Sequence, residues 1–172
     1  YGNALSVRRT VQELEASGIA ALTIEDTKLP QSYGSPRSVE LLSLDESVGK
    51  MRAALEARKD NKLIVAARTS AFNSKDNKDA ILRAIKYQDA GVDAVFFTGI
   101  SENSQIEMLT SSIKIPIFIS PQSSYLIDRS YLSRKGVRIC LQGHQPFAAA
   151  IQAVYTTLKA LKDGTPPSKI GA

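Results

Sequence analysis

Five short apolar runs each end on a polar residue able to do chemistry. Ala20–Ile24 leads into Glu25 and Asp26, Leu63–Ala67 into Arg68 and Thr69, and Val92–Phe97 into Thr98 and Gly99. Ile115–Ile119 leads into Ser120, and Val137–Leu141 into Gln142, Gly143 and His144, the only histidine. A carboxylate supplies the hard oxygen that Mg²⁺ or Mn²⁺ prefers. A guanidinium is a planar fork matched to a carboxylate, and an imidazole changes charge near neutral pH. Together these groups suit a metal-assisted reaction on a small carboxylate, provided that one edge of the molecule carries them all.

A parallel sheet provides such an edge. All its strand C-termini share one rim, and folds of this class place their active sites there. The stretches between the runs carry helical patterning. Leu5, Val11 and Leu14 recur at helical spacing over 4–17, before Ser17-Gly18. Further helices are expected over 44–58, 76–90, 102–112, 127–135 and 145–162. Ser43 with Glu46 forms a capping box for the second, and Ser74 and Ser101 are expected to cap the next two. The last helix carries Phe147, Ile151, Val154, Tyr155, Leu158 and Leu161, a stripe broad enough to bury. Helix, glycine, apolar strand repeats at Gly18, Gly91 and Gly136, the grammar of consecutive βα units.

The connection from Thr27 to Ser43, with Pro30, Gly34 and Pro36, is long for a βα loop. Leaving directly from Glu25-Asp26, it is a candidate lid, with Tyr33 as a possible contact. Gly164-Thr165-Pro166-Pro167 cannot continue a helix, so 164–172 reads as a C-terminal tail behind one domain over 1–163.

The bulk numbers exclude several classes. The chain has 172 residues, 43% hydrophobic and 23% charged, as an ordinary globular domain does. No apolar run approaches the roughly 18 residues of a membrane span, and no signal peptide is visible. The net charge is +5, yet Lys and Arg never run beyond two together and no aromatic-basic interleaving appears. Neither nucleic acid nor membrane is therefore expected as a partner. Cys140 is the single cysteine, so an intrachain disulfide is impossible. That fits a cytoplasmic setting, with a mitochondrial matrix also compatible. Gly-x-Gly-x-x-Gly and a Gly-Lys-Ser/Thr phosphate loop are both absent. Periodicity alone leaves two architectures open: a complete five-stranded doubly wound sheet, or part of a (β/α)₈ barrel.

The segments Tyr1-Gly2-Asn3-Ala4-Leu5, Val7-x-Arg9-Thr10-Val11-x-Glu13-Leu14 and Gly18 through Asp26 resemble the phosphoenolpyruvate mutase/isocitrate lyase superfamily. Lys50-Met51-Arg52-Ala53-Ala54, Ala66-Ala67-Arg68-Thr69 and Gly143-His144 continue the resemblance in register. It implies an α/β fold of the (β/α)₈ TIM-barrel type, here truncated to strands four to eight. The family often swaps a last helix between subunits, which implies a homo-oligomer. Its acidic metal motif immediately precedes the Tyr-Gly segment, so those aspartates fall outside this sequence. The Lys-Lys-Cys-Gly-His loop of isocitrate lyases is replaced by Gln31-Ser32-Tyr33-Gly34-Ser35, which argues against those lyases. The Gly18–Thr27 run and Gly143-His144 are most similar to the oxaloacetate decarboxylase branch, although Gln122 stands where that branch has a tyrosine.

The resemblance therefore implies a Mg²⁺- (or Mn²⁺-) dependent lyase acting on a small α-keto dicarboxylate, most simply the decarboxylation of oxaloacetate to pyruvate. Glu25 would bind the metal directly or through water, with Asp26 behind it. Arg68 and His144 would be catalytic and would hold substrate together with Gln122. Another C–C or P–C lyase or mutase of the superfamily is the alternative. So is an inactive truncated chain that serves as a binding or assembly partner.

Overall fold

The computed structural model describes residues 2–30, 40–73, 76–121 and 128–170. These form two compact units, residues 1–141 and 142–172. The first begins with α1 (Ala4–Ala16), β1 (Ala21–Glu25), α2 (Leu44–Ala57) and β2 (Ile64–Thr69), followed by a single 3₁₀ turn (Ala71–Asn73). It continues through α3 (Asn77–Ala90), β3 (Ala94–Thr98), α4 (Asn103–Ser112), β4 (Ile117–Ser120), α5 (Arg129–Arg134) and β5 (Val137–Cys140). The second unit holds α6 (Gln145–Lys162) and a 3₁₀ turn (Pro167–Lys169).

The five strands are all parallel and lie in the order β1-β2-β3-β4-β5. This order decides between the two architectures. Crossovers between parallel strands are right-handed. When every crossover steps to the next strand in the same direction, all the connecting helices fall on one face. A doubly wound sheet reverses direction once and covers both faces; this sheet does not reverse. The sequential order is that of a (β/α)₈ barrel segment.

Side-chain burial follows the same division. Ile24, Val65, Ala67, Val95, Phe97, Ile117 and Ile119 point into the helix layer and are buried. Their neighbours alternate to the other face, where Ile64 is 40% and Ile139 42% exposed. On the helix side, Val7 and Val11 of α1, Met51 and Ala54 of α2, and Ile106 and Leu109 of α4 complete the core. The Phe72 and Phe97 rings sit 5.1 Å apart, each burial contributing roughly 1.5–3 kcal/mol.

The helix boundaries have local causes. Ser43 Oγ accepts the Glu46 amide at 3.2 Å, one half of the expected capping box, and Asp45 and Glu46 lie in the positive first turn. Two other caps differ from expectation. α3 is capped by Asp76, whose carboxylate accepts the Lys78 amide at 2.9 Å, while Ser74 lies outside the described residues. α4 takes Glu102 as its N-cap instead of Ser101, because the Gln105 side chain reaches back to the Ser101 amide at 2.8 Å.

At the N-terminal end of the sheet, Asp93 accepts the Val65 amide at 2.8 Å and Arg58 at 2.5 Å. Stabilising charge thus sits at the base, away from the rim. At the rim, Gly99 has φ +85°, and a Cβ there would lie 2.2 Å from Asn73 Oδ1. Only glycine lets the turn after β2 nest against the exit of β3.

Within the second unit, no described residue covers the α6 stripe that the sequence reads as broad enough to bury. Phe147 is 71%, Tyr155 60% and Leu158 60% exposed. No helix among the described residues is long and apolar enough to cross a membrane.

Candidate active site

Glu25 and Arg68 end adjacent strands and face each other in register. Arg68 Nη1 stands 3.5 Å from Glu25 Oε2, with both side chains a little over one-third exposed. At that exposure the ion pair adds only about 0–1 kcal/mol, so it contributes little as structural glue. The Thr27 hydroxyl donates to Glu25 Oε1 at 2.5 Å, fixing the carboxylate from the start of the loop. On the other side, the Arg68 guanidinium lies 5.3 Å from the Phe96 ring centroid. Phe96 is the register partner of Arg68 on β3, and the cation–π contact with its ring restrains the guanidinium. Arg68 Nε is enclosed without a hydrogen-bond partner among the described residues, and so is Ser70 Oγ. Thr98 and Ser120 pair in register one layer further along the rim.

Buried donors without acceptors are costly, and an acceptor ligand would relieve that cost. A rigid guanidinium fork with capacity left over, beside a hydroxyl-lined edge, can grip a carboxylate. The Glu25 carboxylate can supply one oxygen to a hard cation. Among the described residues no group of three His, Cys, Asp or Glu side chains is placed to enclose a metal ion. A metal beside Glu25 would therefore have to fill its other positions from water or from groups beyond the described clusters. Mg²⁺ tolerates this, since it retains several waters and binds through one or two carboxylates.

Asp26 faces the opposite way. Strand alternation turns it into the helix layer, where it is fully buried. Its Oδ2 accepts the Tyr87 hydroxyl at 2.6 Å and Arg83 Nη1 at 3.1 Å. Oδ1 is enclosed without a hydrogen-bond partner among the described residues. Burial raises the Asp26 carboxyl above its ordinary value, against the opposing pull of Tyr87, Thr69 and Arg83. Burial and the facing carboxylate likewise raise the Tyr87 phenol.

Arg83 is the hub of this cluster. It also donates to Leu42 O at 2.9 Å, Ser47 Oγ at 3.2 Å and Asp79 Oδ2 at 2.8 Å. The loop neck is tied here as well. Leu42 N–H donates to Asp26 O, and Lys28 N–H to Glu40 O, both at 2.8 Å. Replacing Arg83 with methionine strands Asp26 as an unpaired buried charge. The expected loss is about 3–5 kcal/mol, read as a fall in the urea midpoint at unchanged slope.

Of the expected site residues, the structure brings Glu25 and Arg68 together and turns Asp26 away from them. His144 lies in the second unit as the N-cap of α6, without a side-chain capping bond. Gln122 and Tyr33 lie outside the described residues. Sequence reasoning passed over Arg83, Tyr87 and Ser47. A signal was available: Ala80, Arg83, Ala84 and Tyr87 form one helical stripe, and an arginine inside an apolar stripe requires a buried acid.

The phosphoenolpyruvate phosphomutase family model matches residues 1–162. An oxaloacetate decarboxylase of Bradyrhizobium sp. (strain ORS 278) is 51% identical over 170 residues, 99% of this chain and 59% of that protein. The chain thus spans about 59% of the length of this curated relative. Among solved structures, phosphoenolpyruvate phosphomutase from Streptomyces platensis subsp. rosaceus superposes with a TM-score of 0.81 at 34% identity. That match covers 95% of this chain and 59% of that one. Phosphonopyruvate hydrolase in complex with oxalate and Mg²⁺ gives 0.80 at 27% identity, over 98% and 60%. A family match over nearly the whole chain agrees with the sequential parallel sheet and with the residues at its rim: this chain belongs to the phosphoenolpyruvate phosphomutase family.

Proposed function

We propose that this chain carries the Glu25–Arg68 side of a Mg²⁺-dependent lyase that decarboxylates oxaloacetate to pyruvate and CO₂. The observation that carries the reading is Arg68 itself: beside Phe96 at a strand end, facing Glu25, with an enclosed donor that has no partner among the described residues. The 51% identity to an oxaloacetate decarboxylase supports the choice of substrate. A phosphonopyruvate hydrolase solved with oxalate and Mg²⁺ supports a divalent metal beside a small dicarboxylate.

Arg68 binds one substrate carboxylate through its fork, and Phe96 restrains that fork. Glu25 offers a carboxylate oxygen to the metal, and Thr27 keeps that oxygen aimed. When bound, Mg²⁺ supplies Lewis-acid polarisation of the carbonyl. Breaking the C–C bond releases CO₂ and leaves the electron pair on an enolate, which takes a proton at carbon to give pyruvate. His144 is proposed as the proton source or orienting group. Gln122 is proposed as a further substrate contact. A cytoplasmic location is proposed with this activity.

The exposed apolar stripe of α6 supports a homo-oligomer in which a second copy covers it. Single exposed apolar residues are ordinary, but a contiguous face marks an interaction surface.

The test is pyruvate release from oxaloacetate by the purified protein, with and without Mg²⁺, above the metal-only background. Mg²⁺-dependent turnover is expected, with sedimentation of the same preparation showing a dimer or larger. Turnover of phosphonopyruvate but not oxaloacetate would move the assignment to a P–C lyase of the same family. Inactivity on both would favour an assembly role.

A further inference from the structure

Among the described residues, the functional reading leaves three buried charged groups unused: Asp26, Arg83 and Lys50. Lys50 is only 2% exposed in the middle of α2, on the same inward face as Ser47, one turn earlier. A lysine on a helix normally extends its ammonium to water. This one runs inward, and Nζ donates to the main-chain carbonyl oxygen of Glu25 at 2.7 Å. The carboxylates of Asp26, Glu46 and Glu25 favour its charge, while burial works against it and keeps its pKa below the usual lysine value. A position that served only packing would be filled more cheaply by methionine or leucine.

The peptide that Lys50 grips joins two acids with opposite destinations. Glu25 faces the rim; Asp26 faces Arg83 and Tyr87 in the helix layer. The orientation of the peptide between them sets where the Glu25 carboxylate points. Asp26 N–H donates to Arg68 O at 3.1 Å, so the same peptide is held from the sheet by its N–H and from the helix layer by its carbonyl.

We infer that Lys50 is a positioning residue for the Glu25 carboxylate: it anchors the Glu25–Asp26 peptide from α2 and keeps Glu25 aimed at a divalent cation. The inference rests on the reading of Glu25 as a metal ligand. Lys50 touches neither metal nor substrate and acts only through Glu25.

A double-mutant cycle on Mn²⁺ binding tests it, with free Mn²⁺ read by electron paramagnetic resonance on the full chain and no assay of turnover. Glu25→Gln is expected to weaken binding. Lys50→Met is expected to raise the Mn²⁺ Kd about tenfold, the range found when partners behind a metal ligand are removed. In the Glu25→Gln background, Lys50→Met should add less than about twofold, because coupled residues are non-additive. If Glu25→Gln weakens binding and Lys50→Met does not, the inference is overturned and the metal reading stands. An equal loss from Lys50→Met in both backgrounds would show general damage and also overturn it. Unchanged binding in Glu25→Gln would instead sink the metal reading, and the inference with it. Circular dichroism checks that each variant keeps its helices. If Lys50→Met does not fold, Lys50→Gln, which keeps a donor on a shorter stem, carries the same test with a smaller expected loss.

Discussion

Under the proposed function, Arg68→Lys is expected to lower kcat/KM for oxaloacetate by roughly 10- to 150-fold, the equivalent of about 1.5–3 kcal/mol for a hydrogen bond to a charged group. Lysine keeps the positive charge, so long-range attraction for an anionic substrate survives. It loses the two-pronged contact and the planar guanidinium beside Phe96, 5.3 Å from its ring centroid. Stability should hardly change, because the Arg68–Glu25 contact at 3.5 Å is partly exposed and weak. Steady-state kinetics and a urea midpoint on the same preparation separate the two effects. A variant with parental kcat/KM would remove Arg68 from the substrate site.

Under the same proposal, Glu25→Gln is expected to raise the Mg²⁺ concentration needed for half-maximal activity by about 100-fold or more. The amide is nearly the same size and still accepts the Thr27 hydroxyl, so geometry is largely retained while the negative charge is lost. Losing a partner behind a metal ligand alone costs about 10- to 100-fold in affinity, and losing the charge of a ligand costs no less. Excess Mg²⁺ should restore part of kcat, which distinguishes weak metal binding from misfolding. If the Mg²⁺ dependence matches that of the parent protein, Glu25 is not in the metal shell.

The sheet was largely legible in the sequence, because each strand is a short apolar run with a polar exit, and three of the five runs follow a glycine. Observed boundaries fall within one or two residues of those runs, as at Ile64–Thr69 against Leu63–Ala67. Strand order was not legible from periodicity, since hydrophobic spacing says which faces are buried and nothing about which strand lies beside which. The rim pair, Glu25 and Arg68, was readable because each stands at a strand exit. The buried cluster behind it was not, because Arg83, Tyr87 and Lys50 belong to helices whose long polar side chains ordinarily face water. Local caps were only partly readable: Ser43 caps α2, but at α4 a glutamine reaching back from Gln105 displaced the expected Ser101. The α6 stripe shows a further limit. A broad apolar face states that something should cover it and does not state what.

The neck formed by Asp26 with Leu42 and Lys28 with Glu40 has a consequence for engineering. These pairs, with the bridge between Thr27 and Leu41, close the connection close to the strand end, before the chain reaches Pro30. Closing an already zipped stem costs little more when the span beyond it grows, since loop entropy rises only with the logarithm of length. A change of length beyond Lys28 and Glu40 is therefore expected to alter the closure cost only slowly, with the paired neck holding the register of β1. A single insertion inside β1 would do the opposite, sending the rim acid into the interior and the sealed acid into water.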